Sequence, residues 1–258
     1  MTRVAHSVAS LAALFVAAAA WAQQPQNLEP LPEPPPPPPG LELDPALEPQ
    51  VTITKKGEDT VAKVKFDLRF EGTNPMFNYR DCVTSDKEAL AASVASEHLE
   101  QIGKVLGSLK VDDRDYYVKG LGERDHSWGE RDWTAPRAWV WLTCQVSEDF
   151  GFNVTKLYMD KGDIDAGFLY VDGENLPLVK VDMVTEYDAD GSPNTLFMAM
   201  YDKDGVVYGV KGEVKKKAIM EFKGENDRGS IMFETLTKWR IDDGEDAGYG
   251  IAEYLFRK

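Results

Sequence analysis

The sequence has few of the residues that mark a metal or redox protein. Among its 258 residues there are two cysteines, Cys82 and Cys144, and three histidines, His6, His98 and His126. No two cysteines are spaced as C-x-x-C, and no Cys/His pair has the spacing of zinc ligands. The two cysteines could form one disulfide in an oxidising compartment, although their spacing alone does not place them within bonding distance. We therefore expect no metal and no cofactor.

Positive charge is also scarce. There are 29 lysines and arginines against 44 aspartates and glutamates, which gives a formal net charge of −15 at pH 7. The phosphates of a nucleic acid and the surface of an anionic membrane would both be repelled by such a chain. We therefore expect neither as a partner, and the hydrophobic content of 43% is enough for a globular core.

Long apolar runs are absent beyond the N-terminus, where residues 1–22 resemble a secretory signal peptide. Arg3 precedes the apolar run Leu11–Ala20, and Ala20-Trp21-Ala22 has the pattern of a cleavage site. The run is too short for a membrane span. We predict export to the periplasm or beyond, with no integral membrane segment after signal removal. If this N-terminus is an artefact of gene fusion, a cytoplasmic location is expected instead.

Proline is concentrated between residues 23 and 50, with a run of six from Pro34 to Pro39. Consecutive prolines favour an extended polyproline II chain, so this segment is predicted to be a semi-rigid spacer, with docking of a partner as the alternative. A short segment, 51–62, separates the spacer from a predicted β domain over 63–258.

The rest of the chain has the pattern of short β-strands. Lys63–Phe70 alternates charged and apolar residues, and nine further strands are predicted between Ala138 and Phe256. Asp-Gly pairs punctuate them, such as Asp172-Gly173 and Asp190-Gly191. This succession predicts an all-β protein, a calycin- or lipocalin-like antiparallel barrel or a sandwich.

One short helix is predicted near residues 87–96, because Ser85 and Glu88 have the spacing of a capping box. Apolar and glycine residues then occupy alternate positions from Leu99 to Val111, which predicts a strand with a return arm over 116–122. A helix that continues through Ile102 is the competing interpretation.

The segment Gly120–Trp133 combines a histidine with carboxylates, arginines and tryptophans at high density. Its central residues, His126 and Asp125, are the candidate catalytic pair, because an imidazole titrates near neutral pH. On a strand, Arg124, His126 and Trp128 would share one face, and Asp125 would point to the other. The residue that orients His126 could therefore be Glu97, Glu100 or Glu253. The alternative is an ion-pair cluster that pins a hairpin and has no catalytic role.

Trp139–Gln145 carries a second candidate feature. Alternation puts Trp139, Trp141, Thr143 and Gln145 on one face of a strand. Two indoles beside two hydrogen-bonding groups suit a pocket for an amphipathic ligand, whereas aromatic packing against a helix or a dimer partner is the alternative. The candidate ligand-binding residues are Trp128, Arg131, Trp133, Trp139, Trp141 and His98.

Three runs resemble an uncharacterised group of bacterial proteins that is distantly similar to carotenoid 1,2-hydratase and to lipocalin-like hydratases and cyclases. They are Glu97-His98-Leu99-Glu100-Gln101 with its following glycines, the Arg-Asp-His-Ser-Trp-Gly run at 124–129, and Gly248–Tyr254. The resemblance covers residues 63–258. It implies a calycin-type architecture, usually of two barrel-like halves, and a pocket for an isoprenoid or polyketide-like ligand.

The resemblance also implies a catalytic aspartate between two tryptophans, where this chain has Val140 between Trp139 and Trp141. That departure argues against alkene hydration by the family's own acid. Residues 1–62 resemble a different, small exported proteobacterial family, so we hypothesise a fusion near Ala62–Lys63. An incomplete barrel would then expose a strand edge and favour a homodimer.

The sequence therefore predicts binding of a lipophilic small molecule, such as an isoprenoid, steroid or polyketide, in a β-barrel pocket. Hydratase or isomerase chemistry would centre on His126. The alternative is a non-catalytic structural or interaction protein of the cell envelope, in which the histidine motif only stabilises the fold.

Overall fold

The computed structural model describes residues 50–55, 58–82, 97–128, 136–223, 229–241 and 247–257. Most of these residues lie in antiparallel strands, which confirms the all-β prediction. A single turn of 3-10 helix covers Tyr79–Asp81. The strands of the described residues are β1 (Gln50–Lys55), β2 (Glu58–Gly72), β3 (Phe77–Asn78), β4 (Glu97–Val111), β5 (Arg114–Trp128), β6 (Pro136–Gln145), β7 (Phe150–Met159), β8 (Ile164–Val171), β9 (Glu174–Tyr187), β10 (Pro193–Asp202), β11 (Val207–Lys223), β12 (Gly229–Ile241) and β13 (Ala247–Arg257).

The structure decides between two interpretations of β4 and joins two predicted strands. The competing helix through Ile102 is wrong, because β4 begins at Glu97 and runs unbroken to Val111. The strands predicted at Val206–Val214 and Ala218–Phe222 form one continuous strand, β11. Its pairing with β12 has a register shift between Val214 and Lys216. The signal peptide, the proline spacer and the helix near 87–96 lie outside the described residues. Within the described ranges, no helix has the length and apolarity needed to cross a membrane.

Strands β6 to β13 form a closed barrel of eight strands in which β13 pairs with β6. Within this barrel each strand pairs with two neighbours, so the barrel itself has no open edge. One hydrophobic cluster receives side chains from all eight strands, which places it in the barrel interior. Its largest fully buried members include Trp239, Tyr254 and Phe152.

The chain divides into two compact units. The first contains the barrel together with residues 72–82, 97–103 and 121–128, and the second contains residues 50–71 and 104–120 in their described parts. In the second unit β1 pairs with β2 and β2 with β4, while β4 also pairs with β5. Gly107 lies at a close approach of backbones there, since a Cβ added to it would be 2.0 Å from the carbonyl oxygen of Asp67.

Within the first unit, the outer face of β8 carries a second apolar cluster. Its members come from β3, the 3-10 turn, β4 and β8, and they are Phe77, Tyr79, Ile102, Ala166, Phe168 and Tyr170. Cys82 packs against this cluster, whereas Cys144 belongs to the barrel interior, and both are free thiols. The disulfide considered from the sequence is therefore not formed.

We expect a Gly167→Ala variant to lose about 2–4 kcal/mol of unfolding free energy, measured by urea denaturation. Gly167 has a φ of +135°, and a Cβ there would be 2.1 Å from the carbonyl oxygen of Asn153 on β7. Gly120→Ala is the matched control, because a Cβ at Gly120 meets nothing within 4 Å. Equal stability of the two variants would contradict the close β7–β8 approach.

Candidate functional site

The outer face of the barrel wall carries a row of polar side chains and one indole. Trp141 on β6 lies opposite Thr155 on β7 and opposite Glu253 on β13. Glu253 lies in turn opposite Glu234 on β12. Residues paired directly across antiparallel strands point to the same face, so this row crosses four strands on the outside of the barrel. Val140 belongs to the interior cluster, which confirms that the two tryptophans beside it point outward.

The parts of β4 and β5 that belong to the first unit, residues 97–103 and 121–128, bring four ionisable side chains to this face. His98 and Glu100 are two residues apart on β4, and Glu123 and Asp125 are two residues apart on β5. Because side chains alternate along a strand, each pair points to one face. Together the four residues form a group that we name the carboxylate cluster.

His98 is the cation of the carboxylate cluster. Its Nε2 lies 2.9 Å from Oε1 of Glu100 and 3.4 Å from Oδ1 of Asp125. The ring stacks on Tyr79 with 4.2 Å between the ring centroids. Burial alone would lower the pKa of His98, but the hydrogen bonds to Asp125 and Glu100 outweigh it and raise the pKa to about 9. The imidazole is therefore protonated at neutral pH.

Glu100 is fully buried, with an exposed fraction of 0%. Its Oε1 accepts a hydrogen bond from Nε1 of Trp141 at 3.0 Å and contacts His98. Burial and the charge of Asp125 raise the pKa of Glu100, the bonds from His98 and Trp141 lower it, and the balance is about 7. This carboxyl therefore changes its protonation near neutral pH.

Glu123 meets Glu100 in the carboxylate cluster. Its Oε1 accepts a hydrogen bond from Nδ2 of Asn153 at 2.6 Å. Burial and the charge of Glu100 raise the pKa of Glu123 well above its ordinary value. The Oε2 atoms of both glutamates are buried, and neither has a donor among the described residues. A single proton shared between the two carboxyls satisfies both atoms, so one carboxyl is an acid while the other is a base.

Tyr79 forms one wall of the cluster. Its hydroxyl donates to Oδ1 of Asn153 and lies 2.9 Å from Oγ1 of Thr155. Burial and the charge of Glu100 raise the pKa of Tyr79 well above its ordinary value, so the phenol keeps its proton. Because Tyr79 occupies Oδ1 of Asn153, the amide presents its Nδ2 to Glu123 and fixes that carboxyl in place.

Three atoms of the cluster have the spacing of a cation site. One ligand atom each from His98, Glu100 and Asp125 lie within 4.8 Å of one another. The positive charge of protonated His98 already balances the negative charge of these acids, because its ring lies within hydrogen-bond distance of both Glu100 and Asp125. The donor set therefore has a sufficient explanation without a metal ion.

The structure separates the two predicted catalytic residues. Asp125 lies in the carboxylate cluster, beside His98. His126 is exposed, its Nδ1 is 2.8 Å from Nη2 of Arg124, and its ring contacts that of Trp128. Arg124, His126 and Trp128 thus share a face, as strand alternation predicts.

The predicted ligand-binding residues are placed in three different surroundings. Trp139 and Trp141 lie on the outer wall and donate to Glu253 and Glu100. Trp128 is exposed at the end of β5. Arg131 and Trp133 lie outside the described residues, and His98 is the centre of the carboxylate cluster.

Three residues of the site were not among the predicted ones: Glu123, Tyr79 and Asn153. Glu123 could have been found from its spacing. It lies two residues before Asp125 and therefore on the same face of the strand, just as Glu100 shares a face with His98 two residues before it. Tyr79 and Asn153 had none, because a tyrosine in a loop segment and an asparagine in a strand are ordinary residues.

The fold and the site define the class of protein: an eight-stranded antiparallel barrel of the calycin or lipocalin-like type, with a buried histidine–carboxylate cluster against its outer wall. Residues 41–258 match the family described as "Domain of unknown function (DUF7064)". The chain belongs to that family. The match runs through Ala62–Lys63 without a break, as does strand β2.

Solved structures with a similar fold share little sequence with this chain. Kievitone hydratase from Nectria haematococca has a TM-score of 0.49 and 14% identity, with 84% of this chain and 70% of that chain covered. CghA with Sch210972 has a TM-score of 0.49 and 14% identity, with coverage of 74% and 61%. The chain thus spans about two thirds of the length of these proteins.

No curated protein matches the sequence. The resemblances to carotenoid 1,2-hydratase and to a small exported family, and the fusion inferred from them, therefore stay predictions.

Proposed function

We propose that this protein binds a lipophilic small molecule beside the carboxylate cluster and transfers protons to and from it, as a hydratase or an isomerase. The observation that carries the proposal is the pair Glu100 and Glu123. These are two interacting carboxyls that burial keeps partly protonated, next to a cationic histidine. Pairs of acids with separated pKa values are typical of general acid–base catalysis near neutral pH.

The two glutamates have different roles in this proposal. Glu123 keeps its proton more tightly, and it donates that proton to one carbon of a substrate double bond. Glu100, which protonated His98 and Trp141 hold as a carboxylate, accepts a proton in return. In a hydration the returned proton comes from water, whose oxygen bonds to the other carbon. In an isomerisation it comes from an allylic carbon, and the double bond moves.

A hydrophobic cluster with members from all eight strands lies in the barrel interior, whereas the carboxylate cluster lies against the outer wall, so we place the ligand outside the barrel wall. The indoles of Trp139 and Trp141 offer apolar surface there, and the cluster supplies the polar anchors. The proposed location of the protein in the cell remains the periplasm or the exterior.

We expect tryptophan fluorescence to change when farnesol, retinol or progesterone binds. Trp141→Phe should remove at least half of the change, because Trp141 donates directly to Glu100. Trp128→Phe is the matched control, since Trp128 is 45% exposed at the end of β5. A wild-type protein whose fluorescence none of the three probes alters would favour the alternative, a structural or interaction protein whose polar cluster only stabilises the fold.

A further inference from the structure

A second pair of carboxyls lies on the same outer face of the barrel. Glu234 on β12 and Glu253 on β13 are directly opposite each other in the antiparallel register. Glu234 is 3% exposed, and its Oε2 is buried without a partner among the described residues. Side chains in such opposite positions have Cβ atoms about 5 Å apart. Two carboxylates at this spacing cannot both be ionised without a large cost.

The second pair repeats the arrangement of the first. Nε1 of Trp139 donates to Oε1 of Glu253 at 2.5 Å, as Nε1 of Trp141 donates to Glu100. Burial and the charge of Glu253 raise the pKa of Glu234 to about 10. Burial also raises the pKa of Glu253. In each pair, an indole N–H bonds to one carboxyl and a proton is held by the other.

The two pairs adjoin one another on the barrel wall. Trp141, which binds Glu100, lies directly opposite Glu253 in the β6–β13 pairing. Trp139 and Trp141 are two residues apart on β6 and share the outer face. The charge of Asp125 raises the pKa of Glu100 and of Glu253, so it acts on both pairs.

We propose that Glu234 and Glu253 are a second proton-holding pair of the same ligand site, and that the two pairs together select an uncharged, elongated apolar ligand lying across Trp139 and Trp141. This inference rests on the proposed function. A neutral ligand is favoured because the indoles of Trp139 and Trp141 line the wall between the pairs, and the charge of His98 is already balanced by its contacts with Glu100 and Asp125. A carboxylate ligand would meet Asp125 and the ionised member of each pair, and it would be repelled.

Infrared spectroscopy tests the shared proton directly. At pH 8 the wild-type protein should show two carbonyl bands of protonated buried carboxyls. Glu123→Gln should remove one band, and Glu234→Gln should remove the other. A spectrum that Glu234→Gln leaves unchanged at pH 8 would overturn the inference.

Farnesol added to the wild-type protein tests the shared site without any variant. Both infrared bands should shift on binding. A shift of the Glu123 band alone would overturn the inference and leave the proposed function standing. If neither farnesol nor retinol binds, the proposed function itself is contradicted and the inference falls with it.

The preference for a neutral ligand is tested with matched pairs of probes. Farnesol and farnesoate have nearly the same apolar chain, as have retinol and retinoate. At pH 8 each alcohol should bind at least tenfold more tightly than its carboxylate. Equal or tighter binding of the carboxylates would overturn the proposed selectivity.

Discussion

Glu234→Gln should raise the free energy of unfolding at pH 8 by about 2–4 kcal/mol, which would be unusual for a substitution at a buried position. The pKa of Glu234 is raised by burial and by Glu253 to about 10 in the folded protein. In the unfolded chain the carboxyl ionises near its ordinary pKa of 4.5. Glutamine has nearly the same shape as the protonated acid. It does not ionise, so unfolding of the variant releases no proton from this position.

The sign of this effect depends on pH. Between the unfolded and folded pKa values, the folded state binds more protons than the unfolded state, so wild-type stability falls as pH rises. The advantage of Glu234→Gln should therefore be small near pH 4.5 and grow steadily towards pH 10. Denaturant titrations at pH 5 and 8 measure it, with Glu186→Gln on the exposed face of β9 as control. A Glu234→Gln protein that is less stable than wild type at pH 8 would contradict the shared proton.

His98→Leu should lower the free energy of unfolding by about 3 kcal/mol at pH 6, because it removes the cation that contacts Asp125 and the buried Glu100. His98 lies 2.9 Å from Glu100, and hydrogen bonds to Asp125 and Glu100 raise its pKa to about 9 against the opposing effect of burial. A raised histidine pKa contributes stability that is complete below 6.5 and lost as pH rises through 9. The difference from wild type should therefore shrink between pH 6.5 and 9.

The other described histidine is the matched control for this variant. His126 is exposed, with its ring against Arg124 and Trp128. His126→Leu should change the free energy of unfolding by less than about 0.5 kcal/mol. If His126→Leu costs as much as His98→Leu, the motif at 124–129 contributes to stability in a way that the contacts of His126 do not explain.

The strands of the barrel follow closely from the sequence. The runs of apolar and β-branched residues over 138–146 and the later segments, with Asp-Gly turns between them, predict these strands. The merger of two predicted strands into β11 was not predictable, since the bulge between Val214 and Lys216 looks like a turn of polar residues. Closure of the barrel by β6 and β13 also depends on pairing between strands about a hundred residues apart.

The candidate site was predictable only in part. Strand alternation correctly separated Asp125 from His126, and it placed the two tryptophans on one face. It does not tell which face of a barrel strand points inward, and the structure places Val140 in the interior and the two tryptophans on the outer wall. His98 was predicted to bind a ligand, but its contacts with Glu100 and Asp125 were not predicted, because these two residues lie on different strands. Only the pairing of β4 with β5 brings Glu123 and Asp125 to His98.

The central claim is that His98 is a protonated group held by Glu100 and Asp125 in a ligand site. NMR titration of the His98 ring, with and without farnesol, tests it most directly, and His126→Asn removes the other described histidine signal. We expect an apparent pKa of about 9 for His98 and a shift of its resonances when farnesol is added. A ring that titrates at the ordinary value of 6.5 and does not respond to farnesol would contradict the account.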